Sequence, residues 1–383
     1  MSMNTLTRLT ALAFAVGFYV GCSPVNFGVS SKDCNASTNC VVQNNKKSYS
    51  YSVTAGSGKV DILIVNDNSA SMSFEQKRLA PRFANFIQNL DAAKVDYRIA
   101  ITTTDISGGK FPQGGQLITM GDGSKYITPS QANRLALFNA AIQRPETTTC
   151  ENFIANYLRA NGASSINSSG YQSGYASNCP SGDERGVYSA NLVVQNNPGS
   201  FIRADAHLSI IFLSDEDERS GLYSSGNYTL AALDQPASLP RSVKSSLGEA
   251  KYASLSIHAI VVRDTSCLAQ QNSQVLGDNP NQDTKGLVTG SIGSVYLSFT
   301  NVSPAWGVSA DICSSDYTGQ LGTIQTSIQA KIKDILLNCS SPSDLQVSVS
   351  GTNIAHSVSG NVLTFSQTLS PGTTVNLSYK CGL

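Results

Sequence analysis

Apolar and polar positions form alternating blocks along the central part of the chain. Apolar-rich runs of strand length occupy 60–65, 95–104, 208–213 and 255–262. Apolar residues at helical spacing predict helices over 74–90, 130–142, 184–195 and 321–337. Strands that alternate with helices are typical of parallel crossovers. The pattern therefore predicts an α/β fold with an open, mostly parallel, doubly wound sheet and helices on both faces.

Individual residues refine this prediction. Ser71 or Ser73 is expected to cap the first helix, and Pro81 is expected to kink or restart it. Residues 117–127 predict an edge strand or a hairpin. Loop-like segments rich in Gly, Ser and Asn predict insertions at about 145–182 and 264–310.

The two ends of the chain have a different pattern. The apolar run 12–20 is shorter than the roughly 20 residues of a membrane-spanning helix, so it is typical of a signal peptide. The small residues before Cys22 resemble a bacterial lipobox, which makes Cys22 the expected lipidation site; ordinary secretion is the alternative. The predicted organisation is a signal peptide (1–21), an Asn/Ser/Thr-rich tether (22–57), the α/β domain (58–338) and a small antiparallel β appendix (339–383).

The cysteine count favours an exported protein. Nine cysteines less a lipidated Cys22 leave eight, and eight allow 105 pairings. Pairing of sequence neighbours is the simplest expectation: Cys34–Cys40, Cys150–Cys179, Cys267–Cys313 and Cys339–Cys381. Disulfides persist in oxidising compartments. With no Cys-x-x-Cys and only three histidines, a zinc site is not expected.

The charge balance narrows the range of partners. The chain carries 26 Lys and Arg against 26 Asp and Glu, so its formal net charge is zero. Proteins that bind nucleic acids present basic surfaces to the phosphate backbone. A neutral chain without a basic block is therefore not expected to bind nucleic acid.

Candidate chemistry follows the first predicted strand. Asp67, Ser69 and Ser71 occupy alternate positions directly after the run 60–65, and Asp215 comes just after the run 208–213. In an open parallel sheet, ligands bind beyond the carboxyl ends of the strands. Carboxylate and hydroxyl oxygens suit a hard cation such as Mg²⁺. The sequence thus predicts a metal site, although Asp67 and Ser69 could instead cap the following helix.

The motif Asp-x-Ser-x-Ser after a hydrophobic strand, with Ser-Asp ending a later strand, resembles the von Willebrand factor type A domain and its metal-ion-dependent adhesion site. The resemblance implies that Asp67, Ser69, Ser71 and Asp215 are metal ligands. The family's threonine ligand has no counterpart here; Ser181 has the right offset, and Glu184 or Asp183 could substitute with a carboxylate.

The surroundings of the predicted site contain other acidic residues. Asp105 ends a strand on the same edge of the sheet and is a candidate to support the ligands. Asp217 and Glu218, by contrast, are expected to be solvated charges on the rim of the site.

The resemblance implies recognition rather than catalysis. In that family the cation, here Mg²⁺ with Mn²⁺ or Ca²⁺ as alternatives, leaves one coordination position for an acidic group of the partner. We therefore expect an adhesin or ligand-binding lipoprotein of the outer membrane, surface-exposed or periplasm-facing, whose partner is a protein or glycan offering a carboxylate. Its contact with the membrane is expected through the lipid anchor only. The alternatives are an envelope scaffold or assembly factor that uses the same site and, from the enzyme class, a metal-assisted hydrolase; no nucleophile paired with a histidine is apparent.

Overall fold

The computed structural model describes residues 34, 40–54, 58–107, 110–111, 114–219, 229–276, 290–315, 317–332, 335–366, 369 and 373–382. The predicted signal peptide and Cys22 lie outside these residues. Within them, no helix combines the length and apolar character needed to cross a bilayer.

The described residues form thirteen strands and ten α-helices. The strands are β1 (Cys40–Gln43), β2 (Lys46–Thr54), β3 (Lys59–Asn66), β4 (Asp96–Thr103), β5 (His207–Ser214), β6 (Ser256–Val261), β7 (Ser309–Asp311), β8 (Ile335–Leu336), β9 (Ser343–Val349), β10 (Thr352–Asn353), β11 (His356–Ser359), β12 (Val362–Phe365) and β13 (Thr374–Gly382). The helices are α1 (Ser73–Ala92), α2 (Arg134–Ile142), α3 (Pro145–Asn161), α4 (Ser169–Asn178), α5 (Gly186–Asn196), α6 (Ser238–Leu247), α7 (Glu249–Ser254), α8 (Thr265–Gln271), α9 (Ser294–Leu297) and α10 (Tyr317–Ile332).

The central sheet is parallel, in the order β4-β3-β5-β6-β7. Successive side chains of β3 point to opposite faces, so Ile62 and Ile64 join a core with α1, α2 and α10. Leu63 and Val65 join a second core with α5 and α6. The mixed α/β architecture, with a parallel sheet between helices, is therefore as predicted.

Several elements differ from the predictions in their boundaries. The helix α1 runs through Pro81 without restarting, and its N-cap is Met72, with no side-chain cap, rather than Ser71 or Ser73. The predicted edge strand at 117–127 is reduced to one antiparallel bridge, between Ile99 and Ile127. The closing helix α10 ends at Ile332 instead of 337, because the next segment forms β8.

Much of the first predicted insertion is helical. Two helices, α3 and α4, occupy most of 145–182, and the disulfide between Cys150 and Cys179 joins them. Glycines at 170 and 174 disfavour a helix in isolation. These glycines explain why the sequence pattern predicted a loop. In the folded chain, the disulfide and the packing against α3 compensate for them. In the second insertion, the described residues contain α8 and α9.

The predicted tether is wrong for residues 40–54. Strand β2 pairs antiparallel with β13 over nine residues, from Thr54 opposite Thr374 to Lys46 opposite Gly382. Tyr49 is buried against the C-terminal strands. The two ends of the described chain therefore build one β unit, defined as residues 40–54 and 335–382, with a five-stranded sheet β1-β2-β13-β9-β10 and a three-stranded sheet β11-β12-β8.

All four predicted disulfides are present. They join Cys34 to Cys40, Cys150 to Cys179, Cys267 to Cys313 and Cys339 to Cys381. The first and last lie in or next to the β unit, where the core is small. This use of cross-links is typical of exported domains.

Deleting residues 40–54 is expected to unfold the β unit while leaving the central sheet folded. The deletion removes the strand that covers β13 and the Tyr49 ring, which stacks on Tyr379 at 5.1 Å between ring centroids. Limited proteolysis with mass spectrometry should show rapid cleavage within 335–382 and slow cleavage within the α/β domain. The control is Val41→Ser, at a side chain that is 58% exposed, which should leave the cleavage pattern unchanged. Persistent protection of 335–382 in the deletion variant would contradict the prediction.

Candidate metal centre

The predicted site lies where the sheet reverses its winding. Strand β3 has β4 on one side and β5 on the other, so the loops that follow β3 and β5 diverge at this point. Crevices of this kind bind ligands in open α/β sheets. Asp67 directly follows β3, and its backbone N–H donates to the Leu213 carbonyl of β5 at 2.9 Å. Asp215 directly follows β5, so both predicted acidic residues reach the same edge of the sheet.

The first loop is organised by its own side chains. The Oδ1 atom of Asp67 accepts a hydrogen bond from the Ser69 backbone N–H at 2.8 Å. The two serine hydroxyls, Ser69 and Ser71, are 2.9 Å apart, and the Ser71 hydroxyl donates to Asp215 Oδ1 at 3.1 Å. Four of the predicted ligands are therefore connected by short contacts.

Two residues not singled out from the sequence complete this arrangement. The Ser214 hydroxyl donates to Asp67 Oδ2 at 2.6 Å, and the Gln76 side-chain amide donates to the Asp67 carbonyl at 2.9 Å. The sequence did indicate Ser214 as a site residue, because this serine lies at a strand end directly before Asp215. These contacts leave the Asp67 side chain one orientation.

The distances between the oxygen atoms of the site are compatible with a small hard cation. Adjacent ligands of an octahedral ion with bonds of about 2.1 Å lie roughly 3.0 Å apart. The separations between Ser69 Oγ and Ser71 Oγ, 2.9 Å, and between Ser71 Oγ and Asp215 Oδ1, 3.1 Å, match such edges. The donor set, hydroxyl and carboxylate oxygen, is the one that Mg²⁺ and Mn²⁺ accept.

The carboxylates alone do not form a tight cage. Among the described residues, the one group of three Asp, Glu, His or Cys side chains with ligand atoms all within 4.8 Å of one another is Cys267, Asp311 and Cys313. Both of those cysteines are used by a disulfide, so that group offers no thiolate. At the predicted site, a cation would therefore need the two serine hydroxyls as ligands in addition to carboxylates.

The loop before α5 places Glu184, rather than Ser181, beside the first loop. The Ser181 hydroxyl and backbone N–H both donate to the Asp105 carboxylate. Asp183 forms an ion pair with Arg219 at 2.7 Å. Glu184, in contrast, is buried, and it lies close enough to Asp67 for each carboxyl to shift the pKa of the other. Of the three candidates for the missing threonine, Glu184 is the one in contact with the predicted metal ligands.

Local backbone structure holds Glu184 in place. Its φ is +38°, a left-handed conformation that is uncommon for residues other than glycine. The backbone N–H of Arg219 donates to the Glu184 carbonyl at 2.6 Å, and the Thr104 hydroxyl donates to Glu184 Oε2 at 2.9 Å. The next residue, Arg185, is anchored by a two-point ion pair with Asp234. Contacts on both sides of the residue therefore stabilise a strained conformation.

Three carboxylates are buried here without a basic partner. Asp67, Glu184 and Asp215 are 0%, 3% and 1% exposed, and within the described chain no Lys, Arg or His forms an ion pair with them. Burial, followed by the charge of Asp67, raises the pKa of Glu184 well above its ordinary value. Burial and the Asp67 charge act on the pKa of Asp215 in the same way. Such a group needs bound protons or a bound cation at neutral pH.

The prediction that Asp217 and Glu218 are solvated is wrong. Both are buried. Asp217 Oδ1 accepts the Val295 backbone N–H at 2.9 Å, at the start of α9. Glu218 accepts the backbone N–H groups of Val187 and Tyr188 at 2.8 and 3.2 Å, at the start of α5. Helix N-termini have unpaired N–H groups and favour negative charge, which is why these carboxylates turn inward.

The α3–α4 insertion supports the first loop from the side. Ala70 is buried in the small core that α3 and α4 share. The Thr147 hydroxyl donates to the Asn68 carbonyl at 2.8 Å, and the Asn68 amide donates to Glu146 at 3.3 Å. The insertion therefore helps to position the predicted ligand loop.

Comparison with known proteins gives distant structural neighbours. No protein-family model matches the sequence. No curated protein matches it either. The pilus adhesin SpaC from Lactobacillus rhamnosus GG aligns with a TM-score of 0.36 and 12% identity, over 89% of this chain and 42% of SpaC. Its open conformation aligns with a TM-score of 0.35 and 12% identity, over 88% and 42%.

A second protein shows a similarly distant alignment. Proximal thread matrix protein 1 from the mussel byssus aligns with a TM-score of 0.31 and 12% identity, over 74% of this chain and 48% of that protein. The chain thus spans less than half the length of each of these neighbours. At this similarity the alignments assign no function, so the function is argued from the geometry of the site.

Proposed function

We propose that the protein is a cell-surface binding module that recognises an acidic group of its partner through a divalent cation, in the manner of an adhesin. The observation that supports this is the buried group of Asp67, Glu184 and Asp215, which lacks a basic partner and adjoins two serine hydroxyls. A cation would neutralise the carboxylates and use the hydroxyls as ligands at once.

The residues have distinct roles in this proposal. Ser69 and Ser71 would hold the cation with Asp215, while Asp67 orients the loop through the Ser69 N–H and supplies negative charge from below. Glu184 would contribute the carboxylate that replaces the family's threonine. Bound Mg²⁺, or Mn²⁺ or Ca²⁺, would offer its remaining position to a carboxylate oxygen of the partner.

Differences in exposure indicate how a partner would approach. Asp67, Glu184 and Asp215 are buried, whereas Ser69 and Glu216 are partly exposed. The open side of the site is therefore the side of Ser69.

The cellular location belongs to the same proposal. Four disulfides favour an oxidising compartment, which agrees with an exported protein. We place the protein in the outer membrane, anchored through a lipid on Cys22, and give the site a binding role without catalysis.

Asp67→Asn is expected to abolish saturable Mg²⁺ and Mn²⁺ binding while the chain stays folded. Asparagine keeps the size of the side chain but removes the charge that attracts the cation. Calorimetric titration of each metal into the unlipidated chain measures this, and circular dichroism checks the fold. The matched control is Asp344→Asn, an exposed aspartate in the β unit, which should bind metal like the parent. Equal metal affinity in Asp67→Asn and the parent, or no binding in the parent, would contradict the proposed site.

A further inference from the structure

The α3–α4 insertion carries a groove that the proposed metal site does not use. Its volume is about 510 Å³, within the range of small-molecule sites. It is lined by Thr149, Asn152, Phe153, Asn156, Tyr157, Ala160, Asn161 and Asn178. These residues contribute four amides, two hydroxyls and two aromatic rings, and no charged side chain.

The aromatic part of the groove is held rigidly. Phe153 and Tyr157 lie one turn apart on α3, with ring centroids 5.6 Å apart, and both contact the buried Tyr171 of α4 at 5.7 and 5.4 Å. The disulfide between Cys150 and Cys179 joins the same two helices. The rings therefore keep their positions whether or not a ligand is bound.

Two glycines of α4 make room for these rings. A Cβ atom at Gly174 would lie 2.4 Å from the Phe153 ring, and one at Gly170 would lie 2.6 Å from the Tyr157 hydroxyl. Each glycine within a helix costs roughly 1 kcal/mol relative to alanine. Because neither glycine has a side chain, both rings can pack directly against the α4 backbone.

The polar part of the groove is equally organised. Asn152 and Asn156 project from successive turns of one face of α3 and are exposed. The side-chain amides of Asn161 and Asn178 donate to the carbonyls of Tyr157 and Gly174, each at 2.8 Å, which fixes the direction of each amide. Amides both donate and accept hydrogen bonds, as the hydroxyls of a sugar do.

We propose that this groove binds a short neutral saccharide, of about two sugar rings. The amides would pair with sugar hydroxyls, and the Phe153 and Tyr157 rings would pack against the apolar C–H faces of the sugar. The lining residues carry no charge, and the neighbouring Arg159 guanidinium already donates to Asn156 Oδ1 at 3.2 Å, which favours a neutral ligand over a phosphate or a charged peptide. The lining also lacks carboxylates, so this binding is independent of divalent cations and goes beyond the proposed metal-dependent function.

The test uses the whole unlipidated chain and a panel of neutral disaccharides: maltose, cellobiose, lactose, mannobiose and N,N′-diacetylchitobiose. Saturation-transfer NMR identifies binding, and calorimetry measures affinity with Mg²⁺ and with EDTA. At least one disaccharide is expected to bind equally in both conditions. Asn152→Ala combined with Asn156→Ala is expected to weaken that binding about tenfold, since two hydrogen bonds are lost.

Controls separate the groove from the fold and from the metal site. Asn196→Ala, at an exposed asparagine on α5, should bind the sugar like the parent. Asp67→Asn should also bind it like the parent, so failure of the metal site and failure of the groove are distinguishable. The double variant changes only exposed side chains, and its unfolding temperature should equal that of the parent. No transfer from any disaccharide, unchanged affinity in the double variant, or loss of binding in EDTA would overturn the proposal.

Discussion

Without divalent cations, the protein is expected to become less stable as the pH rises from about 5 to about 7.5, and Mg²⁺ is expected to reverse this loss. Burial raises the pKa values of Asp67, Glu184 and Asp215 above those of the unfolded chain, which are near 4. A carboxyl whose pKa is raised by folding stabilises the folded state fully below the unfolded pKa. That stabilisation is lost as the pH rises through the folded pKa, because the folded state must then release a proton or hold an unpaired charge.

Other buried groups also have shifted pKa values that bear on this pH range. Burial raises the pKa of Asp217 to about 6, and its loss of stabilisation has the same sign but no link to the cation. Burial lowers the pKa of His258 from 6.5 to about 3, so this group acts with the opposite sign and stabilises the fold increasingly as the pH rises to about 6.5. Burial lowers the pKa of Lys251 to about 8, so that lysine titrates above the range. The Mg²⁺-dependent part of the pH profile therefore reports the metal site itself.

The size of the effect follows from mass action. At a free Mg²⁺ concentration about a hundredfold above Kd, binding to the folded state adds about 2.7 kcal/mol to the free energy of unfolding. For a domain of this size, Tm should rise by roughly 5–10 °C at pH 7.5. At pH 5 the rise should be smaller, because protons compete with the cation.

Thermal unfolding in EDTA and in MgCl₂, at both pH values, measures these shifts. The control is KCl at matched ionic strength. An equal Mg²⁺ effect at both pH values would exclude the carboxylates as the cation site.

Glu184→Gln is expected to make the metal-free protein more stable and the metal site weaker. The substitution removes a buried carboxyl that, without a cation, must either bind a proton or hold an unpaired charge facing Asp67, and the new amide can donate a hydrogen bond to that carboxylate. We expect the free energy of unfolding in EDTA at pH 7.5 to rise by about 1–2 kcal/mol. The same lost charge should weaken Mg²⁺ binding about tenfold or more, or ~1.4 kcal/mol.

The opposite signs distinguish a role in cation binding from simple damage to the fold, which would lower both quantities. Urea unfolding in EDTA and calorimetric titration of Mg²⁺ measure the two effects. Ser181→Ala is the matched control, because the Ser181 hydroxyl contacts Asp105 rather than the first loop. If Ser181→Ala weakens Mg²⁺ binding and Glu184→Gln does not, the assignment of Glu184 is wrong.

The central sheet and the first loop could be predicted because local and tertiary signals agree there. Strand β3 is a continuous apolar run, as burial on both faces requires, and Asp67 sits at its end. Because the strands are parallel, Asp215 at the end of β5 must lie at the same edge, so its position could also be predicted. Glu184 could not be chosen over Ser181 from sequence, since the choice depends on how α3 and α4 fold between β4 and α5.

Strand β2 has a strand-like pattern in the sequence, but the polar composition around it outweighed that pattern. From 48 to 53, serines alternate with Tyr49, Tyr51 and Val53, which is the period of a half-exposed strand. The surrounding polar residues favoured a tether, and the partner strand β13 lies more than 300 residues away in sequence. Pairing over that distance is fixed by tertiary packing, which no local pattern records.

The pairing of β2 also has a mechanical consequence. Strand β2 precedes β3 in the chain, and Asp67 directly follows β3. A pull on the chain ahead of Cys40, resisted by a partner at the proposed site, would travel along these two strands. Strand β3 is paired in parallel register on both sides, with eight residue pairs to β4 and seven to β5. A load along the axis of β3 would shear these pairs together rather than open them one at a time, so the strand that ends at the proposed site is well placed to resist tension.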